Sequence, residues 1–241
     1  NAAVDQNPIS IQYNIPAFLS NPDSALGARV RVQPSGEFYL AAGAYNADPD
    51  AARNGDVSIN TDFTFAEGVI LVSEAGYTPD GGSSGLKGEY KLGAYYDTGQ
   101  FDELSDAEET RNGNYGFYVI ASQMVYAEPS DVNQGLTLWG ASTFAPEDDI
   151  NLFPFFLSGG FSYEGPLPGR NEDTAAFGIA YGKISPDFED GDYEIGIEGT
   201  YIIQLTPWLD LQPDLQYIIH PGGSSGIPNA LVAGMQLSLN I

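Results

Sequence analysis

The chain has 241 residues, with 33 acidic against 8 basic side chains and a formal charge of −25 at pH 7. That balance excludes nucleic acid and other anionic polymers as partners, because binding phosphates needs a Lys/Arg surface that releases counterions. The lack of cysteine excludes a disulfide scaffold, a thiol nucleophile and a thiolate metal site, while the lack of any run of about 18 apolar residues excludes a spanning helix and leaves open strands of about 9–11 alternating residues.

The first stretch, NPISIQYNIPAFLSNPDS (7–24), carries Pro8, Pro16 and Pro22 and does not read as one strand. Residues 1–25 are read as a strand end plus loop, or as a segment folded into the interior. From residue 26 the polarity alternates. LGARVRVQ (26–33) sets Leu26, Ala28, Val30 and Val32 on one face and Arg29, Arg31 and Gln33 on the other. A PSG turn then leads into EFYLAAGAY (37–45), so a hairpin is predicted. Further strands are predicted at 63–77, 87–97, 114–128, 135–145, 153–165, 173–185, 192–205, 209–219 and 229–241, separated by Gly, Pro, Asn and Asp clusters. In 192–205 the series Tyr193, Ile195, Ile197, Tyr201, Ile203 and Leu205 opposes Glu194, Glu198, Thr200 and Gln204. In 209–219 Leu209, Leu211, Leu215, Tyr217 and Ile219 oppose Asp210, Gln212, Asp214 and Gln216. Alternation alone fits a soluble sandwich as well as a barrel facing lipid. Tyr77, Tyr95, Tyr96, Tyr126, Phe144, Phe153, Tyr201 and Trp208 fall near strand ends, where interfacial girdles sit.

The connections alternate too. Those at 46–62, 97–113, 145–152 and 186–192 are acidic, and those at 34–36, 78–86, 129–134, 166–172 and 206–208 are neutral or nearly so. A meander sends alternate loops to opposite ends, so one acidic end and one quiet end are expected. DFEDGD (187–192) and EDD (147–149) offer oxygen ligands of the kind that hold Ca²⁺ or Mg²⁺, but neither has the spacing of a known calcium loop and a solvated charged loop is the simpler reading. No other cofactor is expected. Enzyme readings have little support. His220 is the sole histidine and precedes PGGSSG in a loop, the GGSSG stretches 81–85 and 222–226 lack the Lys and helix of a phosphate cradle, and carboxylate pairs are expected by number alone.

Several segments resemble the carbohydrate-selective porin family (OprB-like) of Gram-negative outer membranes. They are 24–50, 68–80, GEYKLGAYYDTGQFDEL (88–104), RNGNYGFYVIASQMVY (111–126), GLTLWGASTFAPEDDINLFPFFLSGGFSYEGPLPGRNEDTAAFGIAYGKIS (135–185) and the stretches within 200–241. The resemblance implies an all-β, antiparallel up-and-down transmembrane barrel of sixteen strands, located in the outer membrane and passing small sugars by diffusion. About eleven or twelve strands are counted here, so the chain is expected to be the C-terminal part of one porin barrel domain. The terminal Ile241 departs from the aromatic residue usual in such proteins.

If the apolar series faces lipid, the lumen receives Arg29, Arg31, Lys87, Glu89, Lys91, Glu194, Glu198, Asp210 and Asp214. Such a ring sets up a transverse field and offers donors and acceptors to sugar hydroxyls. Arg29 and Arg31, two apart on one face, are the first candidates for selectivity, against the plainer role of pairing with carboxylates. Tyr39 and Tyr45 are candidates for stacking on sugar rings, against plain wall packing. The expected partners are small sugars as permeants, outer-membrane lipid and lipopolysaccharide, with a monomer or homotrimer as the assembly. Two rival readings are a general cation-preferring porin and a soluble secreted glycan-binding β-sandwich. Arg170, in the turn PLPGRNED, is expected to pin that turn through Glu164, Glu172 or Asp173.

Overall fold

The computed structural model describes Asn14 and residues 26–47, 68–129, 131–188 and 191–240. Apart from Asn14, the reading of residues 1–25 lies outside the described residues, as does the acidic loop within 48–67. Eleven strands follow one another: β1 (Gly27–Val32), β2 (Phe38–Asn46), β3 (Val69–Tyr77), β4 (Gly88–Asp102), β5 (Thr110–Glu128), β6 (Asp131–Phe144), β7 (Phe155–Glu164), β8 (Thr174–Lys183), β9 (Tyr193–Thr206), β10 (Leu209–Ile219) and β11 (Ala230–Leu239). They form one sheet in sequence order. Each strand pairs antiparallel with the next, as hairpin connections dictate.

Three strands, β4, β5 and β6, run longer than their polarity suggests. The stretch 97–113 reads as an acidic loop, yet beyond a bulge at Asp97/Gln100 the ladder resumes with Gln100↔Asn112, Phe101↔Arg111 and Asp102↔Thr110. Backbone pairing carries this hairpin past the zone where side-chain alternation matters, so only 103–109 remains as its tip. Likewise β6 begins at Asp131, and the β5–β6 connection shrinks to a tight turn. There Gly135 takes φ +142, and a Cβ would meet the Tyr126 carbonyl, which marks the irregularity between Met124 and Tyr126.

The registers divide the side chains into two sets. Val30, Leu40, Leu71, Leu92, Val119, Leu138, Leu157, Phe177, Ile197, Tyr217 and Leu231 fall on one face, and that face stays open: Val30 is 68% exposed, Leu92 60%, Leu237 62% and Met235 72%. No second layer covers it among the described residues. A soluble sandwich would bury this face, so the sandwich reading fails. On the other face β4 shows the contrast, with Gly93, Tyr95, Asp97 and Phe101 buried while Leu92, Tyr96 and Asp102 are exposed.

Aromatic side chains on the open face gather toward its two ends. At the quiet end Phe38 stacks on Tyr77 at 4.4 Å, Tyr77 on Tyr90 at 6.1 Å, and Tyr126 on Tyr163 at 6.3 Å. At the acidic end Tyr181 meets Phe155 at 6.4 Å and Tyr193 at 5.8 Å. Phe155 and Tyr163 stand near the two ends of β7, roughly 27 Å apart along the strand at about 3.4 Å per residue, which at the ~35–45° tilt of barrel strands leaves roughly 19–22 Å along the axis, close to the ~25 Å of an apolar membrane band. Two residues expected in the girdles turn the other way. Tyr95 packs on the inner face with Ile70 and Ala47, and Phe153 lies over Gly182, which is also on the inner face.

Candidate functional site

The inner face is built on pairs of aromatic residues and glycine. Tyr45 lies against Gly27, Tyr39 against Gly76, Tyr118 against Gly93 and Tyr95 against Gly116, each pair directly opposed across two strands. A Cβ at Gly93 would sit 2.0 Å from the Tyr118 ring, and one at Gly76 would sit 2.1 Å from Tyr39. The missing side chains let the rings lie flat on the wall, restoring the cross-strand packing that glycine lacks.

One cluster results from this flattening. The Tyr39 hydroxyl donates to Glu74 Oε1 at 2.6 Å, and the Tyr118 hydroxyl donates to Glu74 Oε2 at 2.7 Å. The Arg31 guanidinium lies 3.8 Å above the Tyr39 ring, an arrangement favoured by the ring quadrupole. Arg29 projects from the same face two residues earlier, opposite Gly43. Both arginines are exposed, whereas Tyr39 is only 5% exposed. Tyr39 is thus a seat for Arg31 and is sealed from any ring that would stack on it, and Tyr45 packs against the cluster of Ala47, Ile70 and Tyr95.

The other predicted residues that lie within strands share this face in register, Lys87 preceding β4, and they differ in engagement. Lys91 pairs with Glu89 at 2.9 Å. Lys87 donates to Asn133 Oδ1 at 2.9 Å, at the quiet end. Glu194 accepts the Gly222 N–H at 2.6 Å at the acidic end, and Asp210 accepts from Asn240 Nδ2 at 2.9 Å near the quiet end. Glu198 stands opposite Gly178 and Gln216. Asp214 is buried, and its Oδ2 has no hydrogen-bond partner among the described residues. The inner cations Arg29, Arg31 and Lys91 lie on β1 and β4 beside the carboxylates Glu74 and Glu89, while the charges on the inner positions of β9 and β10 are carboxylates alone, Glu194, Glu198, Asp210 and Asp214. Between them the inner positions of β6 from Gly135 to Thr143 and those of β8 carry no charge, and β7 carries only the terminal Glu164.

Sequence reasoning missed Glu74, Tyr118 and Trp139. In VILVSEAGY both faces mix apolar and polar residues, so alternation does not mark Glu74 as inward. Tyr118 and Trp139 look like ordinary strand aromatics, and only their cross-strand neighbours distinguish them.

At the acidic end the loops are tied to one another. Leu104 N–H donates to the Asp149 carbonyl at 2.8 Å, Ser185 N–H to Leu152 at 3.0 Å, and Asp192 N–H to Gly223 at 3.0 Å. Arg111 engages Asp149 and Glu147, so two carboxylates of the EDD stretch are held by an internal cation. Deeper in, Asn114 and Asn151 exchange amide hydrogen bonds at 2.8 and 3.0 Å, and Asn14 exchanges two with the Phe153 backbone at 2.7 and 2.9 Å. His220 takes φ +51, and its ring lies 4.6 Å from that of Tyr193, an interfacial packing role.

At the quiet end Arg170 holds Asp173 with Nε and Nη2, both at 2.7 Å, and Nη2 also donates to the Gln204 carbonyl at 3.2 Å. Of the three carboxylates expected to receive it, Asp173 does so. The Tyr201 hydroxyl and the Gln204 N–H donate to the same carboxylate at 3.0 Å each. Burial alone would raise the Asp173 carboxyl, but the Arg170 fork and these two donors overcome it and hold it below the ordinary carboxylate range.

The sequence matches the family described as carbohydrate-selective porin, OprB family, over residues 1–240. Porin B of Pseudomonas aeruginosa is 28% identical over 262 residues, which take in 95% of this chain and 56% of Porin B. The high-pH structure of Pseudomonas putida OprB gives a TM-score of 0.80 at 28% identity over 88% of this chain and 58% of that one. The low-pH structure of the same protein gives 0.63 at 29% identity, over 92% and 57%. The chain thus spans a little over half the length of the relatives it matches, and those relatives are porins, which are channels and not enzymes. A single meandering sheet with an open apolar face, aromatic ends and a charged inner wall is what a membrane-crossing barrel wall requires, and with the match over nearly all its residues the chain belongs to the carbohydrate-selective porin, OprB family, of the Gram-negative outer membrane.

Proposed function

We propose that the porin containing this chain carries small sugars, with other small hydrophilic solutes, by passive diffusion along its charged inner face. Arg29 and Arg31 on that face are its selectivity residues. Lys87, Glu89, Lys91, Glu194, Glu198, Asp210 and Asp214 line the pore with them, and Tyr39 and Glu74 hold Arg31 in place. The observation that supports this reading is the seating of Arg31: its guanidinium rests on the Tyr39 ring, itself fixed by Glu74, and stays exposed on the inner face. A planar array of donors matches adjacent sugar hydroxyls. The carboxylates of β9 and β10 supply acceptors and complete a transverse field.

The test is single-channel conductance in planar bilayers with added sugar. In the wild type, sugar reduces conductance in a saturable way. The double substitution Arg29→Ala with Arg31→Ala should weaken that block about tenfold or more, since two charge-assisted hydrogen-bonding groups are lost. The temperature at which the folded barrel unfolds in detergent should hardly move, because both side chains are exposed. A wild-type conductance insensitive to sugar would instead favour a general cation-preferring porin, a reading supported by the acidic end loops.

A further inference from the structure

Trp139 is the one tryptophan on the described inner face, and it stands in the uncharged stretch between the mixed charges of β1–β4 and the carboxylates of β9 and β10. Its directly opposed neighbours along the row are Ser122 on β5 and Gly160 on β7, followed by Gly178 on β8 and Glu198 on β9. A Cβ at Gly178 would lie 3.2 Å from Trp139 Cζ2 and 3.5 Å from Cη2. The indole therefore reaches across β7 and comes to rest on the backbone of β8, two strands from its own. A ring extended that far along the sheet presents a face to the pore, unlike Tyr39, whose upper face is taken by Arg31. Trp139 is half-buried, and among the described residues its indole N–H enters no hydrogen bond. One strand beyond the plate stands the Glu198 carboxylate, about three strand spacings or ~14 Å from the β6 backbone.

We propose that Trp139 is a stacking platform for the apolar C–H face of a pyranose ring, with Glu198 accepting from hydroxyls at the ring's edge, so that the pore favours ring-form sugars over open-chain polyols of the same size. The inference rests on the sugar-porin reading above and adds to it the class of solute that the wall distinguishes. A rigid pyranose chair, which turns a patch of axial C–H bonds toward whatever lies beneath it, gains from an indole face, the largest and most electron-rich aromatic surface available. A flexible chain of the same carbon number must be ordered to make the same contact, which costs rotational freedom. Arginine donors alone bind hydroxyls of either solute.

The experiment compares liposome swelling in glucose and in sorbitol, the open-chain hexitol of matching size, for wild type, Trp139→Ala and Trp139→Phe. Wild type should admit glucose faster than sorbitol, and its conductance block by glucose should be the stronger. Trp139→Ala should weaken the glucose block about threefold or more and bring the two swelling rates together, with ionic conductance preserved. Trp139→Phe should recover part of the preference. If Trp139→Ala lowers both rates alike, or lowers only the heat resistance of the barrel, the residue is wall packing and the proposal fails. A glucose preference unchanged in Trp139→Ala also overturns it while leaving sugar transport standing, whereas a wild type insensitive to either solute removes the porin's sugar selectivity itself.

Discussion

At the scale of single residues, the strongest polar anchor on the quiet side is Asp173. Its carboxylate is 3% exposed at the side chain, accepts the fork of Arg170, the Tyr201 hydroxyl and the Gln204 N–H, and so joins the β7–β8 turn to β9. Every partner is a donor, so an amide in its place would turn an NH₂ toward a donor. Asp173→Asn should cost about 2 kcal/mol, read as a lower unfolding temperature of the folded barrel in detergent. The pH dependence has a definite sign. A carboxyl held below its unfolded value of about 3.9 contributes its stability above that pH and loses it as pH falls through the lower folded value. The stability gap between wild type and Asp173→Asn should therefore be full at neutral pH and shrink below about pH 4. A gap that widens on acidification would contradict the assignment.

At the scale of elements, the inner wall is held by a rule the outer wall does not need. The outer face can be covered by lipid wherever its side chains fall, but the inner face must keep aromatic rings down against the sheet to leave a pore. Gly93 shows the constraint. Its Cβ would overlap the Tyr118 ring, and Tyr118 cannot lift without giving up its bond to Glu74, which also steadies Tyr39 beneath Arg31. Gly93→Ala should destabilise the barrel by about 1–3 kcal/mol, as overpacking of a close contact does, and should also narrow the conductance as the ring is displaced inward. Measuring both separates a mere loss of stability, which leaves open-channel conductance unchanged, from the displaced ring. None of this is legible from the segments singly. KGEYKLGAYYD and NYGFYVIASQMVYAE show where strands run, but the pairing of Gly93 with Tyr118 and of Tyr95 with Gly116 depends on the register set by the β4–β5 hairpin. The acidic composition of its tip hides the last rungs of that hairpin, Gln100↔Asn112 to Asp102↔Thr110, from any reading of polarity alone.

At the scale of the whole molecule, polarity is arranged along two axes. Around the wall, the inner cations stand on β1 and β4 beside Glu74 and Glu89, while β9 and β10 carry carboxylates alone. Along the strands, the described acidic loops lie at one end and clasp one another and the β10–β11 loop through Leu104–Asp149, Ser185–Leu152 and Asp192–Gly223. A charged rim of this kind concentrates cations at low ionic strength and fades once the Debye length falls from about 10 Å at 0.1 M to about 3 Å at 1 M salt. Cation preference, measured as the reversal potential under a salt gradient, should be marked near 0.1 M and weaken toward 1 M, while sugar block, a matter of contact, should change far less. A cation preference independent of salt would place its origin inside the pore and not at the rim.

By itself the sequence determined the eleven described strands, apart from the outer ends of β4, β5 and β6, together with the two faces and the alternation of acidic and quiet connections, because each is a local property. Period-two alternation marks a strand with its lipid-facing side, and loop composition needs no partner to be read. It also placed Arg29, Arg31 and the β9–β10 carboxylates on one face. Only the tertiary structure decided that Tyr39 and Tyr95 lie flat and sealed, that Glu74 steadies the seat of Arg31, that Arg170 serves Asp173, and that Trp139 extends over Gly178. The physical reason is register. Which residue faces which across strands is fixed by hairpin lengths and bulges, a one-residue shift would reassign every pair, and the chemistry of the inner wall is made of those pairs.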